Sequence, residues 1–387
     1  MKKILYIWKG PYPWDIRVAK ICNSLTDTGF NTTILCRWNG EVDEITEKNK
    51  IKIIRVGYNL KPSFSLPIPN NPIWQKSIKN TIKEIKPDLI IVREIMLAKD
   101  AAVISKKFNI PIIMDMAENY PAAMKDWKKY RRTLLSKLLI HKLNVPEKVE
   151  KTAVKNMDGI ITVCFEQNQR LIEKYNINEN KLCVAHNTPY LNQFNNFKKE
   201  FNKDYLVFGH HGYTTDEKSL VNFVKGFIKA CEIDKNIELR IAGNGESIDY
   251  LKDLATNSNA KNNIFFTGSY DYNELEKILN SYDVGILPYQ VSDFNNYTIH
   301  NKIFDFFAFG LPVFVSMTNP FIRLINETKA GVTVDCQRTE NITENIIKLK
   351  NQLNLNDMGY NGRKAFLNKY HWEQDFNNLK KFIERYL

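Results

Sequence analysis

Residues 301–316, Asn-Lys-Ile-Phe-Asp-Phe-Phe-Ala-Phe-Gly-Leu-Pro-Val-Phe-Val-Ser, read as an apolar helix that stops at Gly310 and an apolar strand that follows Pro312. Glycine just past the last helical residue, with proline soon after, is an ordinary helix stop. A helix running straight into a short, wholly apolar strand is the repeating unit of a parallel sheet covered by helices. One carboxylate, Asp305, stands inside the apolar helix. Burying it unpaired is costly, so it either finds donors in the protein or faces a cleft where a ligand's hydroxyls supply them.

The same alternation runs along the chain. Lys3–Trp8 reads as a first strand, Ile16–Gly29 as a helix closed by its glycine, and Thr32–Cys36 as a second strand; Asp88–Val92, Ile110–Asp115 and Gly159–Val163 continue the series. It restarts with Tyr205–Gly209, a helix near Ser219–Ala230, then Glu238–Ala242, Ile264–Thr267, Val284–Leu287 and Val313–Ser316. The expected fold class is α/β, in two similar halves. One domain covers 1–188, an Asn- and Lys-rich linker without periodicity covers 189–204, and a second domain covers 205–370. A closing amphipathic helix over about 371–387 is expected to pack back on the first domain. A length of 387 residues also suits two domains. Open α/β sheets bind ligands at the carboxyl ends of their strands, so two such domains facing each other place the expected site in the cleft between them.

Composition narrows the function classes. No run of about 18 apolar residues exists, and the start, Met-Lys-Lys-Ile-Leu-Tyr-Ile-Trp-Lys-Gly, is too soon interrupted for a secretion signal, so a cytoplasmic location is expected. Six scattered cysteines, none closely paired, fit reduced thiols and argue against a zinc site or a disulfide frame. The excess of 55 Lys+Arg over 43 Asp+Glu, a net +12, favours an anionic partner: nucleic acid, acidic lipid headgroups or a nucleotide-linked substrate.

Several short stretches, in order, then become informative together. They are Pro13-Trp-Asp-Ile-Arg-Val-Ala-Lys, Pro87-Asp-Leu-Ile-Ile-Val, Val184-Ala-His-Asn-Thr-Pro, Gly209-His-His-Gly-Tyr followed by Lys218, Arg240-Ile-Ala-Gly-Asn-Gly-Glu, Ile264-Phe-Phe-Thr-Gly-Ser, Asp283-Val-Gly-Ile-Leu-Pro-Tyr and the 301–316 segment. In this order and spacing the chain resembles a GT-B fold glycosyltransferase of family 4, the retaining enzymes that use nucleotide-sugar donors. The resemblance implies two Rossmann-like domains, the first binding acceptor and the second the donor, which is UDP- or GDP-linked. It implies no metal, and no Asp-x-Asp is present.

The resemblance also suggests roles. Asp305 matches the acid that binds the donor ribose, and a carboxylate accepts from both hydroxyls. The acid expected eight positions earlier, near the donor sugar, is replaced by Tyr297, and Asp293, Asn295 or Asn296 is placed to take over its contact. The helix start at Asn301, with Lys302, suits a diphosphate. Gly212 suits close approach to a phosphate, and Lys218 matches one of the two cations on the leaving group, Tyr213 occupying the other position. Gly243 and Gly245 form a turn near the nucleotide, and Glu246 is a helix-start acid. Ser269 and Tyr270 fall where the base is read, Tyr270 either stacking on it or simply packing. In the first domain Gly10 leaves room for the donor sugar, while Asp15 or Arg17 either orients the acceptor or serves the local helix. Glu118 is the remaining candidate in a loop where relatives carry histidine at the position of Ala117. His210 and His211 either reach the diphosphate or pack beneath the turn.

Trp127-Lys-Lys-Tyr-Arg-Arg-Thr-Leu-Leu-Ser-Lys-Leu-Leu-Ile-His-Lys-Leu143 reads as a basic amphipathic helix, whose leucines either meet acidic lipid at the inner face of the plasma membrane or pack on the core. The Pro-rich loop 61–74 is a second apolar candidate for lipid contact. A glycan or lipid-linked acceptor, in bacterial surface polysaccharide synthesis, suits these features, and no nucleic-acid motif accompanies the positive charge. The alternatives are a nucleotide-sugar epimerase of the same fold and a catalytically degenerate binding partner.

Overall fold

The computed structural model describes every residue except Trp14, Arg132, Asn195, Asn196, 198–200, Asn202, Lys203, 215–217 and Leu353; the side chains of Lys128, Lys129, Lys218 and Gln352 are also outside the described set. The chain forms two compact units, one of Met1–Asn187 with Asp375–Leu387 and one of Thr188–Gln374.

The first unit is built on β1 (Lys3–Ile7), β2 (Asn31–Arg37), β3 (Ile45–Lys48), β4 (Ile51–Val56), β5 (Leu89–Arg93), β6 (Ile112–Met116), β7 (Gly159–Thr162) and β8 (Leu182–Val184). Their order is β3-β4-β2-β1-β5-β6-β7-β8, parallel except for the β3–β4 pair. The second unit contains β9 (Leu206–His211), β10 (Ile237–Ala242), β11 (Ile264–Gly268), β12 (Val284–Leu287), β13 (Val313–Ser316) and β14 (Gly331–Val334), in the order β11-β10-β9-β12-β13-β14. Both sheets thus carry the doubly wound order, which reverses between β1 and β5 in one and between β9 and β12 in the other. At such a reversal the flanking connections turn to opposite faces and leave a crevice beyond the strand ends.

The central strands are apolar because helices cover both sheet faces: Ile4 to Ile7 and Leu89 to Val92 have no exposed surface. Helix Ile16–Asp27 begins where Asp15 caps it, accepting from Val18 N at 2.9 Å. Helix Lys302–Phe309 ends at Gly310, in a left-handed conformation at φ 75°, and buries Ile303, Phe304, Phe306, Phe307 and Phe309 completely.

Some elements differ from the sequence expectation. The β3–β4 hairpin breaks the expected helix–strand rhythm; β3 is an edge strand of Ile-Thr-Glu-Lys with exposed polar side chains, so it lacks an apolar signal. Residues 127–143 do not form one helix. They form a 3-10 turn Lys128–Arg131, a helical turn Leu134–Ser136 and a π-helical stretch Lys137–Lys142. The break falls at Thr133, which is extended and caps the next turn by accepting from Ser136 N at 3.1 Å. The leucines do not pack inward: Leu134 is 86% and Leu135 64% exposed, and only Ile140 of the stretch 134–143 is buried. Within loop 61–74, Phe64, Leu66 and Ile68 are exposed, whereas Trp74 is buried in helix Pro72–Ile85 and donates to Ser65 O.

Helix Trp372–Glu384 carries the chain back into the first unit. Asp375 meets His186 Nδ1 at 2.9 Å, and the Tyr386 hydroxyl donates to Asp158 O at 3.1 Å. Gly159 is tied to this packing, since a Cβ there would lie 2.7 Å from Tyr386 Oη and 2.8 Å from Phe382 Cζ.

Candidate active site

In the second unit the carboxyl ends of β9, β10 and β11 meet the start of helix Lys302–Phe309. After β9 the chain turns at Gly212, at φ +95°, and a Cβ there would lie 2.7 Å from Lys302 Cε. After β10 it turns at Gly243, at φ +125°, where a Cβ would lie 2.1 Å from Gly212 O. These two glycines let the loops touch: Gly212 N donates to Ala242 O, Gly243 N to Gly268 O and Thr214 N to Asn244 O. Gly245 follows, pairing with Thr214 in a bridge.

Lys302 therefore lies against the backbone of Gly212. Three imidazoles share its surroundings. Burial first and the Lys302 charge second hold His211 and His300 at about 3, and the same causes keep His210 well below its usual value. All three are neutral at pH 7. The 3.8 Å approach of His211 Nε2 to Asp305 is accordingly not an ion pair. His211 stands between Asp305 and the Tyr270 hydroxyl, 3.2 Å from its Nδ1. His300 stacks on Tyr289 at 3.4 Å, meets Asn295 Oδ1 at 2.8 Å, and thereby braces the loop leading to the helix.

Asp305, in the first turn of that helix, has a side chain 16% exposed. Asn301 occupies the cap position but makes no capping side-chain bond among the described residues. The N–H groups of Ile303 and Phe304 are engaged by His300 O and Asn301 O, so positive charge at this terminus comes from Lys302 and the helix dipole. Tyr270 is half-buried, its hydroxyl pushed up to about 12 by burial and Asp305, and Ser269 beside it is exposed. Tyr297 is half-buried in the 3-10 turn Asn295–Tyr297. The structure thus gathers Gly212, Gly243, Gly245, Tyr270, Asn301, Lys302 and Asp305. Lys218 begins helix Lys218–Ile233, with its side chain outside the described residues.

The first unit has its own polar cluster at the ends of β1, β5 and β6. Its centre is Asp115, with no exposed surface. It accepts from Tyr6 Oη at 2.6 Å, Arg17 Nη2 at 2.8 Å and Arg93 Nη1 at 3.0 Å. Arg17 gives its other terminal nitrogen to Ala185 O. Its guanidinium is buried and engaged by Asp115 and Ala185, which favours the structural of the two readings for Arg17 over orienting an acceptor. Asp15 caps its helix and accepts from Arg93 Nη2 at 3.2 Å, so it too is held by local structure. Gly10 makes room for the Trp8 indole, 2.7 Å from where a Cβ would sit, so its smallness is explained within the unit. Glu118 is half-buried beside this cluster.

Sequence reasoning passed over Glu94, Lys9, Tyr289 and His300. An Arg93-Glu94 pair directly after an apolar parallel strand was the available signal for Glu94. Among the described residues no three His, Cys, Asp or Glu side chains group to hold a metal ion, and no helix is long and apolar enough to cross a membrane.

Comparison with known proteins agrees with this geometry. A family model described as Glycosyltransferase Family 4 matches residues 16–188, and one described as Glycosyl transferases group 1 matches residues 192–365. An uncharacterized glycosyltransferase of Methanocaldococcus jannaschii, MJ1607, is 24% identical over 231 residues, which cover 55% of this chain and 56% of the relative. The match spans little more than half of that protein. Among solved structures, sucrose-phosphate synthase from Thermosynechococcus elongatus aligns with a TM-score of 0.75 and 14% identity over 100% of this chain and 99% of that one. Anabaena Alr3699/HepE in complex with UDP aligns with a TM-score of 0.73 and 12% identity over 100% of both chains. The structural likenesses carry the fold, and the two family models carry the class. With both units matched, the chain belongs to the GT-B glycosyltransferases of family 4.

Proposed function

We propose that this glycosyltransferase takes a sugar from a UDP-linked donor and transfers it with retention to a glycan or lipid-linked acceptor in surface polysaccharide synthesis. The observation that carries the donor part is the contact of Lys302 with Gly212, one helical turn from Asp305. A cation against bare backbone suits a diphosphate, and an acid on the same helix suits the vicinal hydroxyls of a ribose. The neutrality of His210, His211 and His300 leaves Lys302 as the charged member of that group. UDP is preferred over GDP because HepE has been solved with UDP and with UDP-glucose.

In this reading Lys302 and Lys218 stabilise charge on the leaving diphosphate, Asp305 holds the ribose, and Tyr270 lies beside the base. Attack from the face that the nucleotide leaves needs no protein nucleophile and no metal. The exposed Leu134, Leu135, Leu138, Leu139 and Leu143, interspersed with Arg131, Lys137 and Lys142, support docking on acidic lipid at the inner membrane face.

Thermal stabilisation and calorimetry with UDP, GDP and UDP-glucose test the donor. UDP is expected to raise Tm, and Asp305→Ala to weaken its binding about tenfold or more, the usual cost of losing a charged hydrogen bond. No stabilisation by any of the three would sink the reading.

A further inference from the structure

Glu94 directly follows β5, beside β1 at the point where the strand order of the first unit reverses. Its backbone lies at φ 66°, ψ 168°, a region that glycine enters readily and that is unfavourable for a residue with a Cβ. Its side chain is buried, 2% exposed, and Oε2 has no hydrogen-bond partner among the described residues. Asp115, on the adjacent strand, is equally buried but has donors from Tyr6, Arg17 and Arg93. The molecule therefore holds Glu94 in an unfavourable backbone state and an unfavourable environment at once, a combination that marks sites kept for binding.

Charged groups face Glu94 from each element at this edge: Arg93 on β5, Lys9 after β1, Asp115 on β6 and Glu118 in the loop after β6. Tyr120, at the start of helix Tyr120–Asp126, accepts from Lys9, whose ammonium lies 4.1 Å from the ring centroid. Burial, the largest influence, together with Glu118 and Asp115 outweighs Arg93 and Lys9 and pushes the Glu94 carboxyl up to about 8. At neutral pH it is a carboxylic acid that donates one hydrogen bond and accepts another, which complements an alcohol. Lys9 and Glu118 are only half-buried, so the polar cluster extends from buried Glu94 towards the surface.

We propose that Glu94 binds a hydroxyl of the acceptor, a neutral pyranoside, with Lys9 and Glu118 completing the polar wall of its site. This rests on the transferase reading above and makes Glu94 a specificity-determining residue of the first unit.

Methyl α-D-glucopyranoside and methyl α-D-mannopyranoside are the probes, titrated by NMR against the full-length wild type, Glu94→Gln and Glu94→Gly in the presence of UDP. Wild type binds at least one probe, and about tenfold more weakly near pH 9 than near pH 7, as the acid form drops to roughly a tenth. Glu94→Gln, which keeps a donor and an acceptor, binds without that pH dependence. Glu94→Gly loses probe affinity about tenfold while its Tm rises, because the backbone strain and the unpartnered carboxyl disappear together. A lower Tm with unchanged probe affinity in Glu94→Gly means that the residue only supports the fold, and overturns the proposal. So does a wild type that binds UDP but neither probe. UDP titrations of the same proteins separate the two readings: a wild type that ignores UDP defeats the donor assignment, whereas normal UDP binding with probe affinity intact in Glu94→Gly defeats only this one.

Discussion

Replacing Asp115 by Asn tests whether Arg17 and its neighbours form a structural ion cluster or a ligand site. Asp115 sits at the end of β6 with no exposed surface, and Arg17 is 3% and Arg93 8% exposed. Burial alone would raise its carboxyl, but Arg17 and Arg93 outweigh burial and hold it at about 2. It is therefore ionised at every working pH. Asn keeps the shape but removes the charge, and its one carbonyl oxygen cannot serve the donors from Tyr6, Arg17 and Arg93. Two guanidinium groups would then remain buried with their main counter-charge gone, a change that costs about 3–5 kcal/mol. For a unit of this size, at about 2–4 °C per kcal/mol, the expected loss is roughly 6–20 °C in Tm.

The pH dependence adds a second check. A depressed folded value means that the stabilisation is fully present above the unfolded carboxylate range near 3.8 and is lost as pH falls through about 2. Differential scanning calorimetry of wild type and Asp115→Asn should accordingly show a constant gap from pH 7 down to about pH 4 and a shrinking one below. UDP affinity should be unchanged in the still-folded variant, because Asp115 belongs to the other unit. A Tm within about 2 °C of wild type, or a gap that persists undiminished at pH 2, would refute the claim that Asp115 acts as the charged centre of that cluster.

Two further outcomes follow from the geometry. Gly243→Ala places a Cβ 2.1 Å from the Gly212 carbonyl at a φ of +125°, so the loops must separate; UDP affinity should fall at least about tenfold, and an unchanged affinity would detach this turn from the nucleotide. Leu135→Glu with Leu139→Glu should abolish co-sedimentation with acidic liposomes without lowering Tm, since both side chains are exposed; unchanged sedimentation would remove segment 134–143 from the membrane reading.

The parallel strands were legible because burial on both faces leaves a continuous apolar run such as Val313–Ser316 or Val284–Leu287, and the structure returns both with those bounds. Edge position alone did not hide a strand, since β11 was legible at the edge of its sheet; β3 was not, because Ile-Thr-Glu-Lys carries no apolar run. The amphipathic pattern in 127–143 was correctly apolar and basic but mis-shaped as one helix. Periodicity reports which side chains would share a face, and it is silent about a local competitor such as the Thr133 hydroxyl, which caps a new turn and interrupts the old one. In the second unit the glycines were singled out by the resemblance of their turns, and Lys302 by its place at a helix start, while Gly212 against Lys302 is a contact that only the structure shows. The stacking of His300 on Tyr289, eleven residues earlier, joins two side chains with no shared period, and no sequence rule brings them together.

The acids of the first unit show where such reading reaches its limit. Asp15, Asp115, Glu94 and Glu118 all follow or end an apolar strand or open a helix, positions where structural and ligand-binding carboxylates look alike in sequence. What separates them is the supply of donors. Asp115 meets a hydroxyl and two guanidinium groups, and Asp15 meets a helix N–H and Arg93, so their placement is accounted for by the fold. Glu94 is buried to the same degree, adopts a backbone conformation suited to glycine, and has an oxygen without a partner among the described residues. A fold that required only a turn after β5 would be better served by glycine there. The persistence of a carboxyl at that point is explained if something outside the protein supplies the missing hydrogen bond, and the opposite movements of Tm and probe affinity in Glu94→Gly measure that difference directly.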